Sequence, residues 1–131
     1  MAYIGAEDVK AIRKELKAVF PNVKFSVRKG TGGYTADVTV LKGSTDFSDI
    51  FRDEDRNHAQ INHFHLGMYG QHTPFFEKVL DVIKTAPMKG EGFHADKGWY
   101  DNSDSQVDYF DTAYHISMNV GSWNKPYIQT A

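Results

Sequence analysis

The chain has 131 residues, no cysteine and a formal net charge of −2. This length is typical of one domain, and the absence of cysteine excludes disulfides and thiolate metal ligands. The first residues lack the basic and apolar regions of a signal peptide, and no apolar run is long enough to span a bilayer. We therefore expect one α+β domain over residues 1–131 that is soluble, cytoplasmic and without a membrane partner.

An amphipathic helix is predicted over residues 6–20. Val9, Ile12 and Leu16 recur at helical spacing, and basic side chains occupy the opposite side. Gly5 is an acceptable N-cap, and Pro21 ends the helix. The apolar side of this helix should pack on a sheet.

Residues 23–41 contain two runs of alternating apolar and polar residues, joined by the glycine-rich residues 30–33. Period-two alternation on both sides of such a link is typical of an antiparallel hairpin. An isolated hairpin is marginally stable in water, so other elements must cover its apolar face. The sequence therefore predicts an α+β fold, with an antiparallel sheet of about four strands that begins from this hairpin.

The later elements follow from the same periodicities. We predict a short helix over residues 46–52, an extended segment over 61–69, a second helix over 74–86 capped by Thr73, and a loop over 88–97. Residues 112–120 alternate and should form a central strand, and Tyr127 with Ile128 should form a short edge strand.

Histidines are the first candidates for chemistry. His63 and His65, two residues apart on the predicted extended segment, would point the same way and are weak candidates for metal ligands. Histidines at this spacing also occur as ordinary surface or packed residues. No catalytic residue and no cofactor is predicted, and a metal-dependent enzyme remains only an alternative.

Aromatic and acidic residues alternate in the C-terminal part of the chain. Aromatic anchors often dominate binding energies, and nearby carboxylates favour a partner with a basic surface. Filling of the core is the competing explanation for these aromatic side chains. The predicted protein-binding residues are Trp99, Tyr100, Asp101, Asp104, Asp108, Tyr109 and Trp123.

Basic residues predominate at the other end of the chain. Residues 1–43 carry eight Lys/Arg against four Asp/Glu, whereas residues 44–131 carry seven against thirteen. Such a basic surface could bind the phosphates of nucleic acid, although solvated lysines are usual on any soluble helix. The alternative nucleic-acid-binding residues are Lys10, Arg13, Lys14, Lys17, Arg28 and Lys29.

Two stretches resemble a known family. Residues 6–28, with Gly32-Gly33 and residues 36–38, resemble the helix and hairpin of a large polyvalent protein associated domain family. Residues 100–111, with 123–127, are similar to segments of small proteins of the same kind. The resemblance implies a phage, plasmid or conjugative element as genomic setting, and it implies no catalytic residue.

These observations together lead to one functional hypothesis. We expect a non-enzymatic accessory protein of a mobile element that binds another protein and inhibits a host nucleic-acid-targeting defence, in the manner of an anti-CRISPR protein. A nucleic-acid-binding module that uses the basic helix and hairpin is the alternative, and the oligomeric state is open.

Overall fold

A computed structural model describes most of the chain: residues 4–30, 33, 35–51, 58–63, 66–90, 114–122 and 125–130. The helices and strands of this part are α1 (Ala6–Val19), β1 (Lys24–Lys29), β2 (Thr35–Gly43), β3 (Ala59–Ile61), α2 (Thr73–Thr85), β4 (His115–Val120) and β5 (Ile128–Gln129). Short 3-10 helices cover Ser48–Ile50, Leu66–His72 and Ala86–Lys89.

The sheet has the strand order β1-β2-β4-β3, and β5 also pairs with β2. The predicted α+β class and the N-terminal helix and hairpin are confirmed. The prediction of an antiparallel sheet is wrong, because β2 pairs in parallel with both β4 and β5. Parallel neighbours need a long crossover connection, and the chain between β2 and β4, which includes α2, provides it.

The hairpin forms as the alternation predicts. Val27 lies opposite Val38 and Phe25 opposite Val40 in an antiparallel register. Gly33 has a φ of 73°, in the left-handed region that glycine adopts without steric cost. The turn is closed by the Gly30 N–H, which donates to the Thr35 carbonyl at 2.7 Å.

The start of α1 is fastened to this turn. The Ile4 N–H donates to the Gly33 carbonyl at 2.9 Å. Gly5 has no side chain to cap the helix, but the Asp8 carboxylate accepts a hydrogen bond of 2.9 Å from the Gly5 N–H. Asp8 is fully buried and lies in the first turn of α1, where the helix dipole favours a negative charge.

Both helices cover the same face of the sheet. The inward side chains of β1, β2 and β4 form one continuous core with the apolar sides of α1 and α2. Members of this core with almost no exposed surface include Ile12, Leu16, Val38, Phe47, Phe76, Val79, Ile83, Tyr114 and Val120. The helices predicted over residues 6–20 and 74–86 are thus confirmed, as are the two predicted strands near the C-terminus.

The end of α2 is hydrogen-bonded to the side chain of Tyr114, the residue before β4. The Ile83 carbonyl would normally accept from the N–H of residue 87, but Pro87 has none. The fully buried Tyr114 hydroxyl donates to this carbonyl instead. One hydrogen bond therefore satisfies a buried acceptor and joins the second helix to the sheet.

The prediction of an extended segment over residues 61–69 is wrong for most of the residues that the structure describes in this range. β3 ends at Ile61, and Leu66–His72 contains 3-10 turns on both sides of a kink at Gly70, whose φ is 57°. The structure buries Leu66 and His72 and leaves Met68 69% exposed, which fits a period of three and not of two.

Three smaller predictions also change. The helix predicted over 46–52 is a single 3-10 turn, Ser48–Ile50. The predicted loop over 88–97 begins inside the 3-10 helix Ala86–Lys89. The Thr73 hydroxyl, predicted to cap α2, donates to the Leu66 carbonyl at 2.6 Å.

We expect Tyr114→Phe to lower the free energy of unfolding by about 2 kcal/mol, because it leaves the buried Ile83 carbonyl without a donor. Urea denaturation measures the change. Tyr69→Phe is the matched control, since the Tyr69 hydroxyl accepts from the exposed Asn62 N–H and water can replace it. Equal losses in the two variants would contradict the structural role of Tyr114.

Candidate functional site

One face of the sheet carries no described helix and is polar. Its outward side chains come from β1, β2 and β4, and each row follows the strand register. One row joins Ser26, Thr39 and Asn119, and the next joins Arg28, Asp37 and Ser117. We call these six residues the polar face.

Hydrogen bonds order the centre of the polar face. The Asn119 amide donates to Asp37 Oδ1 at 3.5 Å and to Ser117 Oγ at 3.4 Å. Arg28 lies opposite Asp37 in the register, so the face combines one charge of each sign with neutral donors and acceptors. Arg28 is exposed and Thr39 is buried, whereas the other four residues are partly exposed. Side chains of this kind provide the direct hydrogen bonds of protein–protein contacts.

A second surface lies between α1 and the 3-10 helix Ala86–Lys89. It is a groove of about 360 Å³ lined by Glu7, Lys10, Ala11, Lys14, Glu15, Ala86, Lys89 and Gly90. We call it the lysine groove. Lys89 and Gly90 belong to a predicted loop, and no sequence pattern indicates that they lie beside α1.

The six predicted nucleic-acid-binding residues do not share one surface. Lys10 and Lys14 line the lysine groove, and Lys17 is exposed in the last turn of α1. Arg13 donates to the Val27 carbonyl at 2.8 Å and so covers part of the β1 edge. Arg28 belongs to the polar face, whereas Lys29 pairs in the register with the buried Ala36 on the other face. Binding of nucleic acid stays a prediction.

A buried histidine connects two 3-10 helices. His72 Nε2 lies 2.7 Å from Asp49 Oδ1, and the side chains are 4% and 51% exposed. The rings of Phe47 and Phe76 lie 4.9 and 6.3 Å from the imidazole, centre to centre. With one ring nitrogen bound to a carboxylate and the ring enclosed by aromatic side chains, this histidine is built to hold the segment around Asp49 against α2.

The predicted metal ligands are not brought together in the described part of the chain. His63 lies in a turn after β3, and His65 is outside the described residues. No group of three or more His, Asp or Glu side chains suitable for a metal occurs among the residues that the structure describes. The pKa of His63 is lowered, first because burial disfavours the imidazolium and second because Lys84 repels it.

All seven predicted protein-binding residues, from Trp99 to Trp123, are outside the described ranges. The structure does locate the ends of the stretch that contains most of them. Gly90 lies against Ala11 of α1, and Tyr114 stands at the start of β4, next to the core. β4 is therefore preceded and followed in sequence by the predicted binding residues.

The fold and these surfaces define a two-helix α+β domain on a mixed sheet. Residues 4–122 match the family described as large polyvalent protein associated domain 29, and the chain belongs to this family of mobile-element associated proteins. The comparisons found no significant match among curated proteins or among solved structures. Within the described residues, no helix has the length and apolar character to cross a membrane.

We expect the stability of the protein to fall on acidification partly through His63. Its pKa is lower in the folded state than the ordinary value of 6.5, so the unfolded state binds more protons once the pH falls below that value. Urea denaturation at about pH 7.5 and about pH 5.5 should show that acidification lowers the free energy of unfolding less in His63→Gln than in wild type. An unchanged decrease in the free energy of unfolding on acidification in His63→Gln would refute the prediction.

We expect Asp49→Ala to lower the free energy of unfolding by about 1 kcal/mol, because the buried His72 loses its carboxylate partner while Asp49 itself is half exposed. Thermal or urea unfolding measures the loss. Asp81→Ala, at an exposed position of α2, is the control and should change the free energy by less than about 0.5 kcal/mol. If Asp49→Ala leaves the free energy of unfolding unchanged, the hydrogen bond adds nothing to stability.

Proposed function

We propose that the protein is a non-enzymatic accessory protein of a mobile element, and that it binds another protein through the polar face and the chain segments that flank β4. The partner is a component of a host nucleic-acid-targeting defence, which the protein inhibits. Membership of a mobile-element associated family supports the biological setting of this proposal.

The observation that carries the proposal is the position of β4. Its outward residues Ser117 and Asn119 belong to the polar face, and its inward residues anchor it in the core. The predicted protein-binding residues lie before this strand, between Trp99 and Tyr109, and after it, at Trp123. β4 thus contributes to the polar face and lies between the predicted protein-binding residues in the sequence.

The chemistry of the polar face supports a protein partner. Ser117 and Asn119 are partly exposed and carry neutral groups that can both donate and accept hydrogen bonds, whereas Thr39 between them and β1 is buried. Arg28 and Asp37 lie opposite each other in the register and place one positive and one negative charge side by side. The acidic aromatic residues around β4 would add attraction for a basic protein surface.

The proposal is tested by affinity capture from a lysate of the bacterium that carries the element, followed by mass spectrometry. Wild-type protein should capture a defence component, and Ser117→Arg should reduce capture at least about tenfold because a long charged side chain disrupts a packed interface centre. Ser44→Arg, the same change at an exposed position beyond the end of β2, is the control. A combined Trp99→Ala, Tyr100→Ala and Asp104→Ala variant tests the segment before β4 in the same way.

Inhibition is measured in cells that carry the defence system, from the survival of a targeted plasmid with and without the protein. We expect wild type and Ser44→Arg to protect the plasmid and Ser117→Arg to fail. Capture that is equal for all variants would refute the proposed surface. Capture that is lost in Ser117→Arg without any effect on plasmid survival in wild type would refute the inhibitory role and leave the surface intact.

A further inference from the structure

Two of the lysines that line the lysine groove, Lys10 and Lys14, are neighbours on α1. On α1, residues three and four positions apart are neighbours. Lys14 has Lys10 four positions before it and Lys17 three positions after it, while its other neighbours at these spacings are the uncharged Ala11 and Ala18. Like charges at these spacings repel each other on an isolated helix. An anion between Lys10 and Lys14, the two of these lysines that line the groove, would offset their mutual repulsion.

The fold adds a third lysine from a different element. Lys89, at the end of the 3-10 helix Ala86–Lys89, lines the same groove as Lys10 and Lys14. This approach depends on glycine at the next position, because a Cβ on Gly90 would lie 2.9 Å from the Cβ of Ala11. The close contact brings an ammonium group from outside α1 to a groove to which α1 contributes two lysines and two glutamates.

Two carboxylates distinguish the groove from a simple patch of positive charge. Glu7 and Glu15 line it together with the three lysines. A carboxylate repels phosphate, but it accepts hydrogen bonds from the hydroxyls of a sugar, as acidic residues do for ribose in nucleotide-binding sites. A groove with ammonium groups and carboxylates side by side therefore matches a ligand that carries both a phosphate and neighbouring hydroxyls.

We propose that the lysine groove binds a phosphorylated sugar of the kind present in a free ribonucleotide. Lys10, Lys14 and Lys89 hold the phosphate, and Glu7 and Glu15 accept hydrogen bonds from the sugar hydroxyls. The volume of about 360 Å³ lies within the range of small-molecule sites, at its lower end. This site is separate from the polar face, so it stands or falls independently of protein binding there.

The test is a titration of ¹⁵N-labelled protein with adenosine monophosphate, adenosine or inorganic phosphate, followed by NMR. The backbone amides of Ala11 and Gly90 should shift with adenosine monophosphate and stay in place with adenosine. Inorganic phosphate should bind at least about tenfold more weakly, because it lacks the hydroxyls. Equal affinity for inorganic phosphate and adenosine monophosphate, or shifts elsewhere only, would overturn the proposal.

Substitutions separate the two parts of the site. Lys14→Gln and Lys89→Gln should each weaken adenosine monophosphate binding about tenfold, while Lys125→Gln, at an exposed turn, should change it less than about twofold. Glu15→Ala should weaken binding of adenosine monophosphate but strengthen binding of inorganic phosphate. If Glu15→Ala strengthens both, the groove attracts anions without recognising a sugar, and the proposal fails.

Discussion

The parallel pairing of β2 with β4 is the constraint on which the rest of the structure depends. It aligns Ala36 with Ile116, Val38 with Met118 and Val40 with Val120, and so joins the N-terminal hairpin to a strand near the other end of the chain. Parallel strands cannot be joined by a tight turn, so the connection must cross the sheet. This crossover connection contains α2. The Tyr114 hydroxyl joins α2 to the sheet by donating a hydrogen bond to the Ile83 carbonyl.

A consequence of this connection is a sheet with two different faces. The inward residues of β1, β2 and β4 meet α1 and α2 in one core, and the alternating outward residues make the polar face. The lysine groove forms elsewhere, where the end of the α2 region returns to α1 and Gly90 meets Ala11. The same chain path thus makes two separate surfaces, the polar face on the sheet and the lysine groove beside α1.

Local periodicity was sufficient to predict α1, the hairpin, α2 and β4. Each of these elements buries one side, and the spacing of its apolar residues indicates which side that is. It could not predict that β2 and β4 run in parallel, since strand direction is decided by the path of the intervening chain. The segment that contains Leu66 and Met68 was wrongly predicted as extended, because a short apolar run fits periods of two and three equally well. The lysine groove could not be predicted, because the sequence shows only that Lys10 and Lys14 share a helix side, whereas Lys89 reaches them through tertiary packing.

The pairing of β2 with β4 is tested most directly by nuclear Overhauser contacts in the protein in solution. A parallel register predicts contacts that join Ala36 to Ile116 and Val40 to Val120. An antiparallel arrangement of the same strands would join Ala36 to Val120 and Val40 to Ile116. Observation of the second pair of contacts would contradict the fold and, with it, the position of the polar face.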